Sequence, residues 1–463
     1  MIVIKTYQDL LQIPENEELR MKFASDVING HKASKMYSIA NTAEKYFRHK
    51  NVTINQYQKL LYTVSGKAIP DIWSANFKMA SRHYFRFIVQ EIQYLLGNGV
   101  TFENKDTEEK LGKDEKSFDN QIQKLATSAL NGGVAFGFFD YDHIENFSVL
   151  EFAPLYDELS GSLKAGVRFW QIDSNKPLRA TLYEIDGYTD YLWLNNEKSA
   201  VNISKDWIKI SSLMYYREKK KYIVTVNKSI VDGEKIVDGE NYPDFPIVPL
   251  WANPEHQSEF VGLQETIDCI DLVRSSYAND VDDASLIFWT LQNAGGMNDI
   301  DLAKFVERMK TVKAVALDDE VQAESHTIDV PYASREALLS RLEKDLYKDA
   351  MALDVEQIAS GNVTATQIKA AYEPLNEKTD RFEYCVSEFI DKILYLANIK
   401  DKFTFTRSMI INQNESVQTV VMASSVLPED YVVEKILAIL GDKDKVEEVV
   451  KQIHADNMPQ LNE

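Results

Sequence analysis

Three aspartates lie close together beyond the middle of the chain, and their carboxylates are the groups best suited to bind a divalent metal. Asp280, Asp282 and Asp283 offer the oxygen ligands that Mg²⁺ and Ca²⁺ prefer. Sites for these ions draw their ligands from a loop or from several elements, whereas these three residues lie in a segment with helical periodicity. We therefore interpret them as part of a solvated acidic face of a helix.

The other residues that could support catalysis lack partners at a suitable spacing. The seven histidines never fall at metal-ligand spacing, and none accompanies a Ser or Cys nucleophile motif. Gly97 and Gly99 follow a predicted helix rather than a strand, which favours a helix C-cap over a phosphate-binding loop. The chain also lacks a GxxxxGK motif followed by Ser or Thr. We predict no enzyme activity, no catalytic residues, no cofactor and no metal.

The bulk composition narrows the class of protein. With 463 residues, we expect two to four sub-structures. Two distant cysteines, Cys269 and Cys385, argue against a disulfide framework, and we expect a protein that is neither secreted nor membrane-spanning. The net charge of −21 argues against a broad basic surface for nucleic acid. Residues 1–100 carry 13 Lys and Arg against 8 Asp and Glu, so the acidic character belongs to the remainder.

The N-terminal part has mainly helical periodicity, and sheet patterns follow it. We predict helices over residues 33–49 and 74–96, an exposed loop or solvated helical turn over 103–117, and a short helix from Phe118. From Val134 to about Leu250, short runs rich in β-branched and aromatic residues alternate with Gly, Asp and Asn. The pairs Asp186-Gly187 and Asp232-Gly233 suit tight turns. This part predicts an antiparallel β region in an α+β domain.

The most informative helix is predicted over residues 261–291. Apolar and a few other residues are spaced alternately by four and three, as in a seam facing a neighbouring helix. We predict an acidic opposite face that comprises Asp268, Asp271, Asp280, Asp282 and Asp283. The seam residues are Leu263, Ile267, Ile270, Arg274, Tyr277, Val281, Ala284 and Phe288.

The rest of the chain alternates helices with short irregular segments. A small segment with helix and strand character reaches about Val330, and a second helix is predicted from Ser334 to Leu353. A polar stretch of residues 354–365 separates it from a helix over about 366–398. A strand from Phe403 and two acidic C-terminal helices complete the prediction.

Several segments, taken in order, resemble a known family. IVQEIQYLLGNGVTF, residues 88–102, resembles the helix-to-glycine signature of portal proteins from long-tailed phages of Gram-positive hosts. The resemblance continues in order over residues 132–142, 152–170, 245–293, 360–375 and 403–436, and it spans roughly residues 30–450. No single motif decides it; the order of the segments and the long acidic helix carry the resemblance together.

The resemblance implies the portal fold, an α+β structure with an α/β wing, a two-helix stem, a small α/β clip and a helical C-terminal crown, assembled as a ring. The implied parts are an N-terminal arm (1–29), the wing (30–260), stem helix 1 (261–291), the clip (292–333), stem helix 2 (334–353), the tunnel loop (354–365), the return helix and strand of the wing (366–414) and the crown (415–463).

The resemblance also implies a function. A ring at one capsid vertex, a dodecamer in the virion, would package and eject double-stranded DNA, which passes through it without being read. Implied partners are further copies of the chain, the terminase large subunit, the head-tail adaptor, and the major capsid and scaffolding proteins. Assembly would take place in the host cytoplasm, without a membrane partner.

Two groups of residues are predicted to act in this setting. The tunnel loop residues predicted to line the channel are Asp354, Glu356, Gln357, Ser360, Gly361, Asn362 and Thr364. The clip residues predicted to dock partners are Lys304, Phe305, Arg308, Lys310 and Lys313, although packing of clip against clip would equally explain them. The alternative functions are another minor head or tail protein of a phage and a metal-dependent nuclease that uses the aspartate cluster.

Overall fold

The computed structural model describes most of the chain and shows a mixed helix-and-sheet fold. The residues described are 4–62, 66–72, 74–196, 204–231, 234–284, 288–292, 298, 300–301, 304, 322–326, 332–356, 365–408, 417, 420–440 and 446–456.

The helices of the described residues follow in chain order. They are α1 Tyr7–Leu11, α2 Glu17–Lys32, α3 Lys35–Phe47, α4 Val52–Gln56, α5 His83–Leu96, α6 Lys105–Leu111, a 3₁₀ turn Asp114–Lys116, α7 Phe118–Gly132, α8 Gln264–Ala284, α9 Tyr332–Asp349, α10 Ala365–Leu396, α11 Glu429–Leu440 and α12 Val446–Asp456.

The strands lie mainly between α7 and α8. They are β1 Leu60–Tyr62, β2 Ala68–Pro70, β3 Val100–Phe102, β4 Val134–Asp140, β5 His143–Ser148, β6 Phe152–Tyr156, β7 Leu163–Trp170, β8 Leu178–Glu184, β9 Gly187–Trp193, β10 Ile208–Ser211, β11 Met214–Tyr216, β12 Ile223–Val231, β13 Glu234–Glu240, β14 Ile247–Trp251, β15 Phe288–Gln292, β16 Gln322–His326 and β17 Phe403–Phe405.

The chain divides into two compact units. Unit 1 comprises Met1–His31, Ile88–Gln257 and Met351–Glu463, and unit 2 comprises Lys32–Phe87 and Ser258–Ala350. The predicted wing, residues 30–260, is therefore divided between the units. The predicted clip and stem helix 1 fall in unit 2.

The sheets of unit 1 confirm the predicted antiparallel β region. Six strands pair in the order β10-β11-β9-β8-β7-β6, three more in the order β14-β4-β5, and β12 pairs with β13, all antiparallel. Glu184 pairs with Gly187, so the tight turn at Asp186-Gly187 is confirmed. Asp232 and Gly233 lie outside the described residues.

Aromatic rings fill the interior of unit 1. Phe136, Phe147 and Phe152 are fully buried, and the ring centroids of Phe136 and Phe152 are 4.6 Å apart. The helix α7 packs on β4 and β5, and α10 packs on β14. Gly166 on β7 lies against the Phe152 ring so closely that a Cβ atom there would overlap it. The absence of a side chain at Gly166 therefore makes room for a buried aromatic ring.

The predicted helix ends are largely confirmed. Gly99 has a left-handed φ of 74°, and its N–H donates to the carbonyl of Leu96 at 3.1 Å, as the C-cap prediction required. Gly133 ends α7 with a φ of 83°. The charged run 103–117 forms α6 and the 3₁₀ turn, in agreement with the solvated helical alternative.

Two predicted helices were too long. Residues 74–82 are not helical, because α5 begins only at His83. The helix α8 ends at Ala284, and Phe288, predicted as a seam residue, lies in a strand paired with β16. The aromatic and β-branched residues of the run Phe288–Thr290 favour a strand, and the helical spacing of the preceding residues concealed this change.

Among the described residues, no helix has both the length and the apolar character needed to span a bilayer.

We predict that Gly166→Ala lowers the free energy of unfolding by about 1–3 kcal/mol, because the Phe152 ring has to leave its rotamer or its position. Thermal or urea unfolding followed by circular dichroism measures the change. Lys164→Ala on the same strand is the control, since its exposed ion pair with Asp244 contributes less than about 1 kcal/mol. Equal stability of the two variants would contradict the prediction.

Candidate functional site

The buried face of α8 carries three polar side chains, spaced by four residues. Asp271, Ser275 and Asn279 are at most 4% exposed. They accept hydrogen bonds from the backbone N–H groups of residues 81, 79 and 77, at 2.7, 2.9 and 2.7 Å. We name this set the α8 polar ladder. It gives buried N–H groups of an extended segment the acceptors they require.

The spacing of the α8 polar ladder explains why a helix can bind an extended chain. Four residues of a helix rise about 6 Å. Two residues of a strand rise about 6.6 Å, so the two repeats nearly match over the two steps between the three contacts. The segment 77–81 therefore runs along α8 in extended form. This interaction overrides the helical periodicity that predicted a helix over residues 74–82.

Asp271 holds more than one partner. Its second carboxylate oxygen accepts a hydrogen bond from the amide of Asn51 at 2.5 Å. Burial raises the pKa of Asp271, and the hydrogen bonds from Asn51 and Ser81 act in the opposite direction. The predicted solvated acidic face is wrong for this residue, because the α8 polar ladder draws it into the interior.

The other residues of the predicted acidic face have different surroundings. Asp268 accepts hydrogen bonds from the hydroxyls of Tyr46 and Thr53. Asp280 forms an ion pair with Arg335. Asp282 is exposed, and the side chain of Asp283 lies outside the described residues. At least three of the five carboxylates thus bind groups of the same chain.

Ion pairs and rings join α8 to α9. Arg274 pairs with Glu343 near one end of the contact, and Asp280 pairs with Arg335 near the other. These pairings run in opposite directions along the sequence, so the two helices are antiparallel. Of the predicted seam, Arg274 and Tyr277 contact α9, through Glu343 and the ring of Tyr332, and Leu263, Ile267 and Ile270 are buried. Val281 is 47% exposed and does not belong to the buried face.

A buried histidine lies beside this helix pair. His83 is 5% exposed, and neither ring nitrogen has a hydrogen-bond partner among the described residues. Glu343 is 3.9 Å away, too far for a hydrogen bond, and its carboxylate already binds Arg274. Burial, with smaller contributions from Arg274 and Arg86, lowers the pKa of His83 to about 4. His83 is therefore neutral near pH 7.

The first residues of the predicted tunnel loop are described. Asp354 is half-buried and accepts a hydrogen bond from the N–H of Glu356 at 3.1 Å, and Glu356 is exposed. The remaining predicted loop residues lie outside the described part of the chain: Gln357, Ser360, Gly361, Asn362 and Thr364.

Of the predicted docking residues of the clip, the structure describes only Lys304. Lys304 is exposed. Phe305, Arg308, Lys310 and Lys313 lie outside the described residues, so the proximity of these side chains stays a prediction.

One group of side chains within the described ranges has a geometry that could hold a metal. Ligand atoms of Asp140, His143 and Glu145 lie within 4.8 Å of one another. The Lys116 ammonium, however, is 2.7 Å from His143 Nε2, and Arg168 binds Glu145 at 3.3 Å. Since two cations already occupy the surroundings of these groups, the cluster is poorly suited to a further cation.

Comparison with families of known proteins identifies the family. Residues 28–458 match the family model described as phage portal protein, SPP1 Gp6-like. The chain belongs to this family of phage portal proteins. The family resemblance predicted from the sequence is therefore confirmed.

Two portal proteins are among the relatives. The portal protein of Bacillus phage SPP1 is 23% identical over 412 residues, which cover 81% of this chain and 76% of that protein. The portal protein of Clostridium phage phiCD119 is 26% identical over 205 residues, or 42% of this chain. In that second case the match spans 46% of the relative's own length, less than half.

Similar solved structures come from gene transfer agent (GTA) particles. A chain from the virion of the native particle is 11% identical with a TM-score of 0.42, and the match covers 76% of this chain and 88% of that one. A chain from the neck of the empty particle is 10% identical with a TM-score of 0.44, and the match covers 76% and 89%.

Sequence reasoning about the portal protein missed the residues that hold its elements in place. Asn51, His83 and Gln90 each look like ordinary polar surface residues in the sequence. In the structure Asn51 and His83 are buried and Gln90 is half-buried. Asn51 binds Asp271 and Gln90 binds Leu353, partners 220 and 263 residues away in sequence, so no local signal could have found these contacts.

We predict that Asp271→Ala lowers the free energy of unfolding by about 2–4 kcal/mol, because it leaves the Ser81 N–H buried without an acceptor and removes one of the two acceptors of the Asn51 amide. Glu265→Ala on the exposed side of α8 is the matched control, and we expect a change below about 1 kcal/mol. Thermal unfolding at equal protein concentration measures both. A similar loss in the two variants would show that the ladder contributes little.

A pH dependence follows from His83. Its folded-state pKa of about 4 is below its ordinary value, so the unfolded chain binds more protons between pH 4 and pH 6.5. Stability contributed by the neutral ring is therefore lost as the pH falls through this window. We expect the wild type to lose about 2 kcal/mol more than His83→Phe between pH 7 and pH 4.5. If the stability of the two proteins depended equally on pH across this range, the lowered pKa of His83 would be refuted.

Proposed function

We propose that this portal protein is the subunit of a closed ring at one capsid vertex, through which double-stranded DNA is packaged and later released. The observation that carries the proposal is the family match, which extends over residues 28–458 and so covers most of the chain. The role is mechanical and organisational. The protein resides at the capsid portal vertex after assembly in the host cytoplasm.

The proposed ring is a dodecamer. A subunit that contacts its neighbour through two different surfaces has to close into a ring or else form an open filament. The α8–α9 pair supports a rigid stem, since its ion pairs lie within one subunit and do not depend on a neighbour. The proposed stem helices, α8 and α9, would surround the channel. The wing (30–260) and the crown (415–463) complete the subunit.

The charge of the chain is consistent with a channel that lets DNA slide. A wall that held many phosphates would bind DNA tightly, with a strong dependence on salt. The net charge of −21 per subunit instead repels the duplex and leaves few deep binding minima. Because Asp268, Asp271 and Asp280 are bound within the subunit, the repulsion has to come mainly from other acidic residues.

The proposed partners bind at different ends of the ring. The clip, residues 292–333, would dock the terminase large subunit and then the head-tail adaptor, and exposed Lys304 is available for such contacts. Major capsid and scaffolding proteins would contact the wing. The tunnel loop, residues 354–365, would line the narrowest point of the channel and contact DNA without reading its sequence.

The alternatives predict different behaviour. Another minor head or tail protein needs neither a ring nor a stem of two paired helices. A metal-dependent nuclease would degrade plasmid DNA in the presence of Mg²⁺, but Asp280 of its proposed cluster is bound to Arg335.

We expect electron microscopy of the purified protein to show rings with a central hole, because the ring is the assembled form of the subunit. Light scattering over a range of salt and protein concentrations checks the particle mass. Only monomers or dimers under all these conditions would contradict the proposal.

We expect replacement of Glu356–Val363 by a Gly-Ser linker to leave rings intact and to impair packaging or retention of DNA. The control replaces Asp173–Lys176, an exposed loop between β7 and β8, with a linker of the same composition. Electron microscopy and the length of protected genomic DNA are the measurements. Normal retention of a full-length genome after the first replacement would exclude a channel role for the loop.

A further inference from the structure

The side-chain amide of Gln90 binds both polar groups of one backbone residue. Its Nε2 donates to the carbonyl oxygen of Leu353 at 3.0 Å, and its Oε1 accepts from the N–H of Leu353 at 2.9 Å. Gln90 lies on α5 and Leu353 is 5% exposed, both in unit 1. We name this pair of hydrogen bonds the Gln90 clamp.

The Gln90 clamp lies at an informative place in the chain. The helix α9 ends at Asp349, and Met351 has a left-handed φ of 51°, so the chain turns sharply before Leu353. Leu353 is also the last residue before the proposed tunnel loop. Its backbone belongs to neither a helix nor a strand, so without Gln90 its polar groups would have no partner among the described residues.

The side chain of Leu353 is held as well. It packs in a cluster with Tyr94, Tyr372 and Leu375. The hydroxyl of Tyr94 in turn donates to Asn376 on α10, the helix that follows the loop in sequence. The backbone and the side chain of one residue are thus fixed to α5 and α10. The chain that follows Leu353 therefore begins at a fixed residue.

We propose that Gln90 is a positioning residue that fixes the N-terminal root of the DNA-contacting loop, an inference that rests on the proposed function. A loop that starts from a fixed residue samples fewer positions than one whose free length begins several residues earlier. Loss of the clamp extends the free chain back toward Met351. The loop then contacts DNA from a less defined position, and its hold on DNA weakens.

The chain offers a matched control. Asn253 binds the backbone of Gln257 in the same way, donating to its carbonyl at 2.9 Å and accepting from its N–H at 3.0 Å. Both residues lie in unit 1, in the segment after β14. This second clamp has the same chemistry but no connection in sequence with the proposed loop.

Hydrogen exchange of the purified assembled protein, followed by mass spectrometry, tests the clamp itself. Gln90→Met keeps the size of the side chain and removes the amide. We expect the exchange of the segment 353–356 to speed up by about tenfold, while Asn253→Leu affects only the segment around residue 257. Unchanged exchange of residues 353–356 in Gln90→Met overturns the proposal.

Gln90→Glu separates positioning from simple packing. A protonated carboxyl group has one donor and one acceptor and can replace the amide, whereas the carboxylate can only accept. The carboxylate still accepts from the N–H of Leu353 but repels its carbonyl oxygen, so after correction for intrinsic exchange rates we expect the protection of residues 353–356 to be weaker at pH 7.5 and to recover at pH 4. Gln90→Met should show no such recovery. Equal behaviour of the two variants at both pH values would assign only a packing role to residue 90.

A second measurement tests the consequence for DNA. In phage that carry Gln90→Met, we expect rings to form and the fraction of particles that retain a full-length genome to fall several-fold, whereas Asn253→Leu retains it. A loosened segment 353–356 with normal retention overturns the link between the clamp and DNA. Failure of the portal proposal is distinct from both outcomes, because it would show as the absence of rings in the wild type.

Discussion

The α8 polar ladder is the interaction on which unit 2 depends. An extended segment and a helix cannot share a hydrogen-bonded ladder through their backbones, because the helix uses its own N–H and C=O groups internally. Side chains at every fourth position solve this problem, since their rise nearly equals that of alternate residues in a strand. Asp271 adds Asn51 to the same network. One helix face therefore holds two distant parts of the chain.

This constraint determines the charge pattern of the proposed stem. Two carboxylates that were predicted on a solvated acidic face instead bind groups of the same subunit. Asp271 accepts hydrogen bonds from Asn51 and Ser81, and Asp280 forms an ion pair with Arg335. A buried carboxylate with two hydrogen-bond donors costs less than an isolated one, although its pKa is raised. In the proposed channel, electrostatic repulsion of DNA would therefore depend on the summed charge of the subunit more than on a single helix face.

Much of the fold could be predicted from the sequence because its patterns are local. The antiparallel region from Val134 and the helix α10 have a period or a composition that tertiary contacts do not override. Residues 74–82 have an equally clear helical period, yet they are extended. The α8 polar ladder, about 200 residues away in sequence, decides their conformation, and local periodicity contains no information about it.

The site was less predictable than the fold for a related reason. Family resemblance predicted which segments would form the stem and the loop, but it did not indicate how they are held. Asn253 and Gln90 each bind the backbone of a residue through a side-chain amide, and the amide of Asn51 donates to the carbonyl of Ser81 and to the carboxylate of Asp271. In sequence such residues are typical of any exposed helix or turn.

Amide side chains are suited to this task because one planar group offers both a donor and an acceptor at the spacing of a peptide. They can therefore bind a single residue of irregular backbone where no strand is available, as Gln90 does at Leu353 and Asn253 does at Gln257. Such a residue gives the chain that follows it a fixed starting point. In a protein whose proposed task is to let DNA slide, such a contact would keep the elements that carry the proposed loop in position.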